Sequence, residues 1–206
     1  MLSQTDKLRV AVLVSGGGTN LQAILDAQDR GEISHASVVL VIANNSKAYA
    51  LERAKRAGVP TKVLLKKQLG GQAPFEQALT EALEQAGIDL IVLAGFMTIL
   101  SESFTRRFDH RIINVHPSLI PSFCGEGYYG LKVHEAALEK GVKVTGATVH
   151  YVNEIPDGGE IILQKAVPVL PGDTPEILQR RVMEQAEWIL LPRAIEEIAI
   201  QTKKGD

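Results

Sequence analysis

Apolar positions along the chain follow two rhythms. Short unbroken runs rich in Val and Ile occur at Leu8–Val14 (LRVAVLV), Ser37–Ala43 (SVVLVIA) and Leu90–Ala94 (LIVLA), and such runs suit strands buried on both faces. Between them the apolar residues recur at helical spacing. Leu21, Ile24 and Leu25 follow Asn20, and Phe75, Leu79, Ala82 and Leu83 share one face of a helix predicted over Pro74–Ala86. A helix is also predicted over Lys47–Ala57, stopped by Gly58, and a strand over Pro60–Leu65. Strands alternating with helices imply βαβ crossovers, hence a mostly parallel twisted sheet with helices on both faces.

The pattern changes in the second half. A helix begun by Ser101 precedes Ile112, Ile113 and Val115, β-branched residues that end a buried strand, and Pro117 and Pro121 forbid its continuation. Ser122–Gly130 holds three glycines and three aromatics with no periodicity, and a short helix is expected from His134 to Lys140. Val144–Val152 and Ile161–Val169 read as strands joined by a close turn at Asn153–Gly159, which predicts a hairpin and an antiparallel edge. Thr174-Pro175-Glu176 starts a last helix reaching about Ile200, with Ile177, Val182, Leu190, Ile195 and Ile198 inward and Pro192 kinking or dividing it. The predicted class is α/β: a Rossmann-like three-layer fold, mostly parallel with an antiparallel edge. It is read as a single domain over residues 1–206, with its core at about 8–200.

Composition narrows the function classes. The 206 residues are 45% hydrophobic and 22% charged with a net charge of −2, so no polyanion-binding surface and no nucleic acid partner are expected. Lys203-Lys204 reads as a solvated tail. The single Cys124 excludes an intramolecular disulfide and fits a reducing compartment. No apolar leader opens the chain and no apolar run reaches the ~20 residues that span a bilayer, so a cytoplasmic protein without membrane association is the expectation. Cys and His residues do not cluster at zinc spacing, and no metal is expected. Monomer and homodimer both remain open.

Chemistry concentrates where strands end. Asn114 and His116 lie two positions apart and project to the same side of their strand. One offers an amide donor, the other an imidazole that moves a proton near neutral pH, a pair suited to the oxyanion of acyl transfer. The plainer alternative is a strand-end histidine packed on a loop and an asparagine capping a turn. After the first strand comes Ser15-Gly16-Gly17-Gly18-Thr19-Asn20 and then a helix, which suits close approach of an anion, most naturally phosphate; otherwise it is an ordinary βα turn capped by Thr19 or Asn20. A Walker loop would need Gly-Lys-Ser/Thr, which is absent. A dinucleotide fingerprint would need a third glycine where Leu21 stands and an acidic residue where Asn44-Asn45 stand, so NAD is a weak runner-up to a single sugar phosphate. Gly95–Ser101 is either a core plug or the lining of a slot for a flat, partly apolar ligand. The loop of residues 122–130 is a surface loop or an active-site lid. Asp157 serves turn geometry or points back to His116, raising its pKa. His134 and His150 read as structural.

Taken in order and interval, Ser15-Gly16-Gly17-Gly18-Thr19-Asn20-Leu21, Leu93-Ala94-Gly95-Phe96-Met97, Ile113-Asn114-Val115-His116-Pro117-Ser118-Leu119 and Asp157-Gly158-Gly159 resemble the phosphoribosylglycinamide formyltransferase family of folate-dependent enzymes. The resemblance covers about Leu8 to Pro192. It implies transfer of a formyl group from the co-substrate 10-formyltetrahydrofolate to the amine of glycinamide ribonucleotide, without a metal or nicotinamide. It implies that Asn114 and protonated His116 stabilise the oxyanion, with Asp157 holding His116 and raising its pKa. By the same resemblance Gly18, Thr19 and Asn20 would bind the ribonucleotide phosphate and Glu187 the glycinamide end. Met97, Thr98, Ile99 and Leu100 would border the folate, together with Asn114 and the turn around Asp157. The chain departs from the family's pattern at several points. Thr98 and Gln72 stand where many relatives carry Arg, with Lys66 and Lys67 as possible substitutes; Trp188 follows Glu187 where His is common; the loop of residues 123–130 is longer than in the short form; and the last helix registers only with a one-residue adjustment. The competing readings are a formyltetrahydrofolate hydrolase, which needs no phosphate turn; a formyltransferase acting on charged transfer RNA, which needs an RNA-binding domain; and a Rossmann-like binding module, for which Asn114, His116 and Asp157 would be coincidental.

Overall fold

The computed structural model describes residues 7–205; the absence of an apolar leader was read partly on residues 1–6, which lie outside the described residues. Seven strands form one sheet in the order β3-β2-β1-β4-β5-β6-β7. They are β1 (Leu8–Val14), β2 (Ala36–Ala43), β3 (Thr61–Val63), β4 (Leu90–Leu93), β5 (Ile112–His116), β6 (Val144–Tyr151) and β7 (Ile161–Pro168). The first five run parallel, β6 pairs antiparallel with β5 and β7 antiparallel with β6, as the hairpin pattern predicts. Side chains of β1 alternate between two cores: Val10, Val12 and Val14 face one, Ala11 and Leu13 the other, all fully buried. The first core is closed by α1 (Thr19–Asp29), α2 (Ala50–Arg56), α6 (Leu131–Lys140), α7 (Pro175–Val182) and α8 (Trp188–Gly205). The second is closed by α4 (Gln72–Gln85) and α5 (Glu102–Arg107), with the short α3 (Lys66–Leu69) beside it.

Several boundaries differ from the sequence reading for identifiable reasons. The helix expected from Lys47 starts at Ala50, because the Asn45 side chain accepts from the Lys47 N–H and holds that segment as a turn. Thr61–Val63 is only three exposed residues at the sheet edge, and α3 was not anticipated. Helix α6 begins at Leu131, ahead of His134. The last helix is not divided at Pro192. It changes at a π-helical turn, Met183–Glu187, and Pro192 sits inside α8. That widened turn takes up one extra residue ahead of the proline. Lys203 and Lys204 belong to the last turn of α8 rather than to a free tail; the Lys204 side chain lies outside the described residues.

The topology dictates where a ligand can sit. From β1 the chain runs outward to β2 and β3, then crosses to β4 on the other side of β1, so the strand order reverses between β1 and β4. At such a switch point the connecting segments part and leave a crevice beyond the strands' carboxyl ends. Leu13, Leu93 and Asn114 are in register across β1, β4 and β5. The glycine turn, the segment after Gly95 and the Asn114–His116 strand end therefore open onto the same edge.

Candidate active site

The glycine turn is shaped from outside. The carbonyls of Ser15, Gly16 and Gly17 accept, respectively, from Asn45 Nδ2 (3.2 Å), the Ala50 N–H (3.1 Å) and Arg53 Nε (2.8 Å). Gly18 caps α1 with a φ of 71°, and a Cβ there would stand 2.6 Å from that of Ala50. Neither Thr19 nor Asn20 caps the helix, as the ordinary-turn alternative would have them do, so the first N–H groups of α1 keep no side-chain partner. Asn20 instead reaches across the sequence: its Nδ2 donates to Glu187 Oε2 at 2.8 Å, while its Oδ1 is buried without a partner. Glu187, the last residue of the π turn, is 6% exposed. Burial pushes its carboxyl up to about 7 against the opposing bond from Asn20.

A second wall lies along residues 97–101. Met97 and Ile99 expose apolar side chains, while Leu100 anchors the segment in the core below. Its backbone is tied on both sides: the Met97 N–H donates to Ser15 Oγ (2.8 Å), Gln72 Nε2 donates to the Ile99 carbonyl (3.0 Å), and the Ser101 N–H donates to Glu76 Oε1 (2.7 Å). Asn44 Nδ2 donates to Thr98 Oγ1 at 2.8 Å. These residues line an open cavity of about 600 Å³ that also includes Lys66 but not Lys67. Ser15 thus joins this wall to the glycine turn.

The polar centre lies at the end of β5, the strand beside β4. His116 is buried at the end of β5, its Nδ1 3.4 Å from Asp157 Oδ2, and its Nε2 donates to the Phe123 carbonyl at 2.9 Å. Asp157 is carried by a turn in which the Gly158 N–H donates to the Ile155 carbonyl; Pro156 takes the second position and Asp157 the third, with a φ of 55°. Its Oδ2 also accepts from the Gly125 N–H at 2.9 Å, so the loop of residues 122–130 touches both members of the pair. Gly159 cannot be replaced here, since a Cβ would fall 1.8 Å from the Tyr151 carbonyl oxygen.

The structure therefore brings Asn114, His116 and Asp157 together, joins Asn20, which follows Gly18 and Thr19, to Glu187, and ties the Met97–Leu100 segment to the glycine turn through Ser15. Two corrections follow. Asp157 does push the His116 pKa upward, as expected, but burial outweighs it and the net shift is below the ordinary value, with His150 adding to the fall. Burial likewise pushes Asp157 upward, but the neighbouring His150, the His116 charge and the Gly125 N–H together leave it below the usual carboxylate range. Second, the structural reading of His150 was incomplete: buried in β6 as expected, it also lies with its Nε2 3.3 Å from Asn114 Nδ2 and 3.6 Å from Asp157 Oδ1. The hairpin pattern contained that signal, since antiparallel pairing sets His150 directly opposite Asn114. His134 is buried behind the site, its pKa lowered to about 4 chiefly by burial and then by His116, with both ring nitrogens unpartnered. Among the described residues no group of three or more His, Cys, Asp or Glu is placed to hold a metal ion.

A parallel sheet whose crevice holds an amide donor, a His–Asp pair and an anion-suited helix start defines a group-transfer enzyme, and the comparisons specify the class. Residues 8–195 match the family model described as formyl transferase, and the chain belongs to that family. Within it, the chain is 44% identical over 187 residues to a phosphoribosylglycinamide formyltransferase of Haemophilus influenzae, covering 91% of this chain and 85% of that protein. It superposes with a TM-score of 0.89 and 44% identity on glycinamide ribonucleotide transformylase 1 from Symbiobacterium toebii, over 98% of this chain and 92% of the other. A trifunctional purine biosynthetic protein, adenosine-3, of Gallus gallus is 46% identical over 196 residues; they make up 95% of this chain but only 19% of that relative's length.

Proposed function

We infer that the chain transfers the formyl group of 10-formyltetrahydrofolate to the amine of 5-phosphoribosylglycinamide, giving formylglycinamide ribonucleotide and tetrahydrofolate in de novo purine biosynthesis. The observation that carries this reading is the His116–Asp157 pair beside Asn114, on the same sheet edge as a helix start with uncapped N–H groups. The first supplies acyl-transfer chemistry, the second a seat for a phosphate, and a hydrolase would need only the first.

Each residue then has a task. The N–H groups around Gly18, Thr19 and Asn20 receive the ribonucleotide phosphate, and Glu187 accepts from the glycinamide amine. Met97, Thr98, Ile99 and Leu100, with Asn114, border the folate; exposed Met97 and Ile99 offer an apolar lip for its flat ring system. Lys66, the cation lining that cavity, takes the glutamate tail where relatives would use Arg. When the substrate amine adds to the formyl carbon, Asn114 Nδ2 donates to the oxyanion. Protonated His116 turns its Nε2–H from the Phe123 carbonyl toward the reacting atoms. As the bond from the formyl carbon to the folate nitrogen breaks, the proton lost by the attacking amine is balanced by one delivered through His116 to that nitrogen. Asp157 keeps the imidazolium oriented and partly offsets the burial that disfavours its charge. Residues 8–200 are taken as the core of one catalytic domain in the cytoplasm, a setting in keeping with the free thiol of Cys124.

His116→Ala tests the assignment. Loss of a positioned acid–base group lowers kcat by about 10²–10⁴-fold while the affinity for folate changes little. Undiminished turnover in His116→Ala would overturn the reading.

A further inference from the structure

His150 occupies a position that packing alone does not explain. It is 1% exposed and directly opposite Asn114 in the β5–β6 pairing. Its Nδ1 lies 2.7 Å from the Tyr151 carbonyl oxygen. A carbonyl oxygen only accepts, so the proton of the neutral ring belongs on Nδ1 and Nε2 is left bare. That bare nitrogen faces Asn114 Nδ2 at 3.3 Å, with Asp157 Oδ1 3.6 Å away.

This arrangement resolves an ambiguity in the site. A side-chain amide can rotate by half a turn and exchange its oxygen for its NH₂, and only its hydrogen-bond partners choose between the two. A lone pair at His150 Nε2 accepts from an N–H and repels an amide oxygen. It therefore selects the orientation with Nδ2 toward β6, from which the second N–H of the same NH₂ group remains for a ligand. The opposite orientation would set an oxygen lone pair against the developing oxyanion, turning a stabilising contact into a repulsive one.

We propose that His150 is a positioning residue: through a tautomer fixed by the Tyr151 carbonyl, it holds the Asn114 amide in the orientation that donates to the formyl oxygen. The inference rests on the role given to Asn114 above. It also gives a reason for the hairpin turning back against β5, since β6 is the strand that delivers the fixed acceptor.

Two substitutions separate this role from packing. His150→Phe keeps a ring of similar volume and removes the acceptor; His150→Gln places a neutral amide oxygen near the position of Nε2. The expected result is a kcat lower by about 100-fold in His150→Phe, the size of effect of losing one oxyanion donor, with the KM of both substrates within about threefold. His150→Gln is expected to recover to within about tenfold of the parent. Because His150 acts through Asn114, His150→Phe added to Asn114→Ala is expected to cost no more than about a further twofold. Equal kcat in His150→Phe and the parent, equal loss in both His150 variants, or a full multiplicative loss in the double variant would each overturn the proposal. Should His150→Phe not fold, ¹⁵N chemical shifts of the parent ring in alkaline buffer decide: Nδ1 protonated and Nε2 bare supports the proposal, and the reverse tautomer overturns it. A parent protein that transfers no formyl group overturns the functional reading and this inference together, whereas an active parent indifferent to His150→Phe overturns this inference alone.

Discussion

Glu187 is a buried group whose titration alters the protein's stability. It is buried, accepts a single side-chain hydrogen bond, from Asn20, and titrates near 7 instead of its ordinary 4.5. In the unfolded chain it returns to the ordinary value. Since the folded pKa is the higher, the native state binds more protons between the two values, and stability falls as pH rises from about 4.5 to about 7. The shift is 7 − 4.5, or about 2.5 units, and at 1.36 kcal/mol per unit it costs about 3 kcal/mol at and above neutrality. Glu187→Gln removes that cost. The amide oxygen still accepts from Asn20 Nδ2, and the new NH₂ offers a donor to Asn20 Oδ1, which now has none. Thermal melts of the ligand-free parent and Glu187→Gln, followed by circular dichroism across pH, check this. The variant is expected to melt about 6–12 °C higher at alkaline pH, with the gap closing toward acid, while its turnover falls for want of a carboxylate at the amine. Two melting curves that stay parallel at every pH would refute the reasoning.

Other outcomes follow from the same contacts. Asp157→Asn removes the charge that pushes the His116 pKa upward, so the alkaline limb of kcat, where protonated His116 is lost, is expected to move to lower pH; a pH–rate profile reads it directly. Gly18→Ala forces a Cβ to within 2.6 Å of Ala50 Cβ at a positive φ. Denaturant melts are expected to show a loss of about 2 kcal/mol, and kinetics a raised KM for the ribonucleotide rather than for folate. Glu76→Gln loosens the acceptor that holds the Ser101 N–H and hydroxyl, and is expected to raise the folate KM by about tenfold.

The sequence was most informative where a residue answers to one local rule. The Val- and Ile-rich runs, the glycine turn and the paired strands 144–152 and 161–169 all became elements, because burial on both faces and turn chemistry leave few options. Asn114 and His116 were legible from strand alternation alone. What local rules left open depended on partners distant in sequence, and for Asp157 and Glu187 only the family resemblance pointed to a role. Nothing near Asp157 says that its turn folds back on His116, and nothing near Glu187 says that a π turn aims it at an asparagine 167 residues away. His150 looked like an ordinary sheet histidine because its meaning lies in the register of β6 against β5. The direction of the His116 shift was misjudged because a charge partner can be guessed from sequence, while the depth of burial that outweighs it cannot.

The most direct test of the account follows the folate chromophore of the purified protein mixed with 10-formyltetrahydrofolate, with and without glycinamide ribonucleotide. Deformylation that requires the ribonucleotide, with the formyl group recovered on its amine, is the predicted result. Equal deformylation without it would make the enzyme a hydrolase and contradict the role given to the glycine turn.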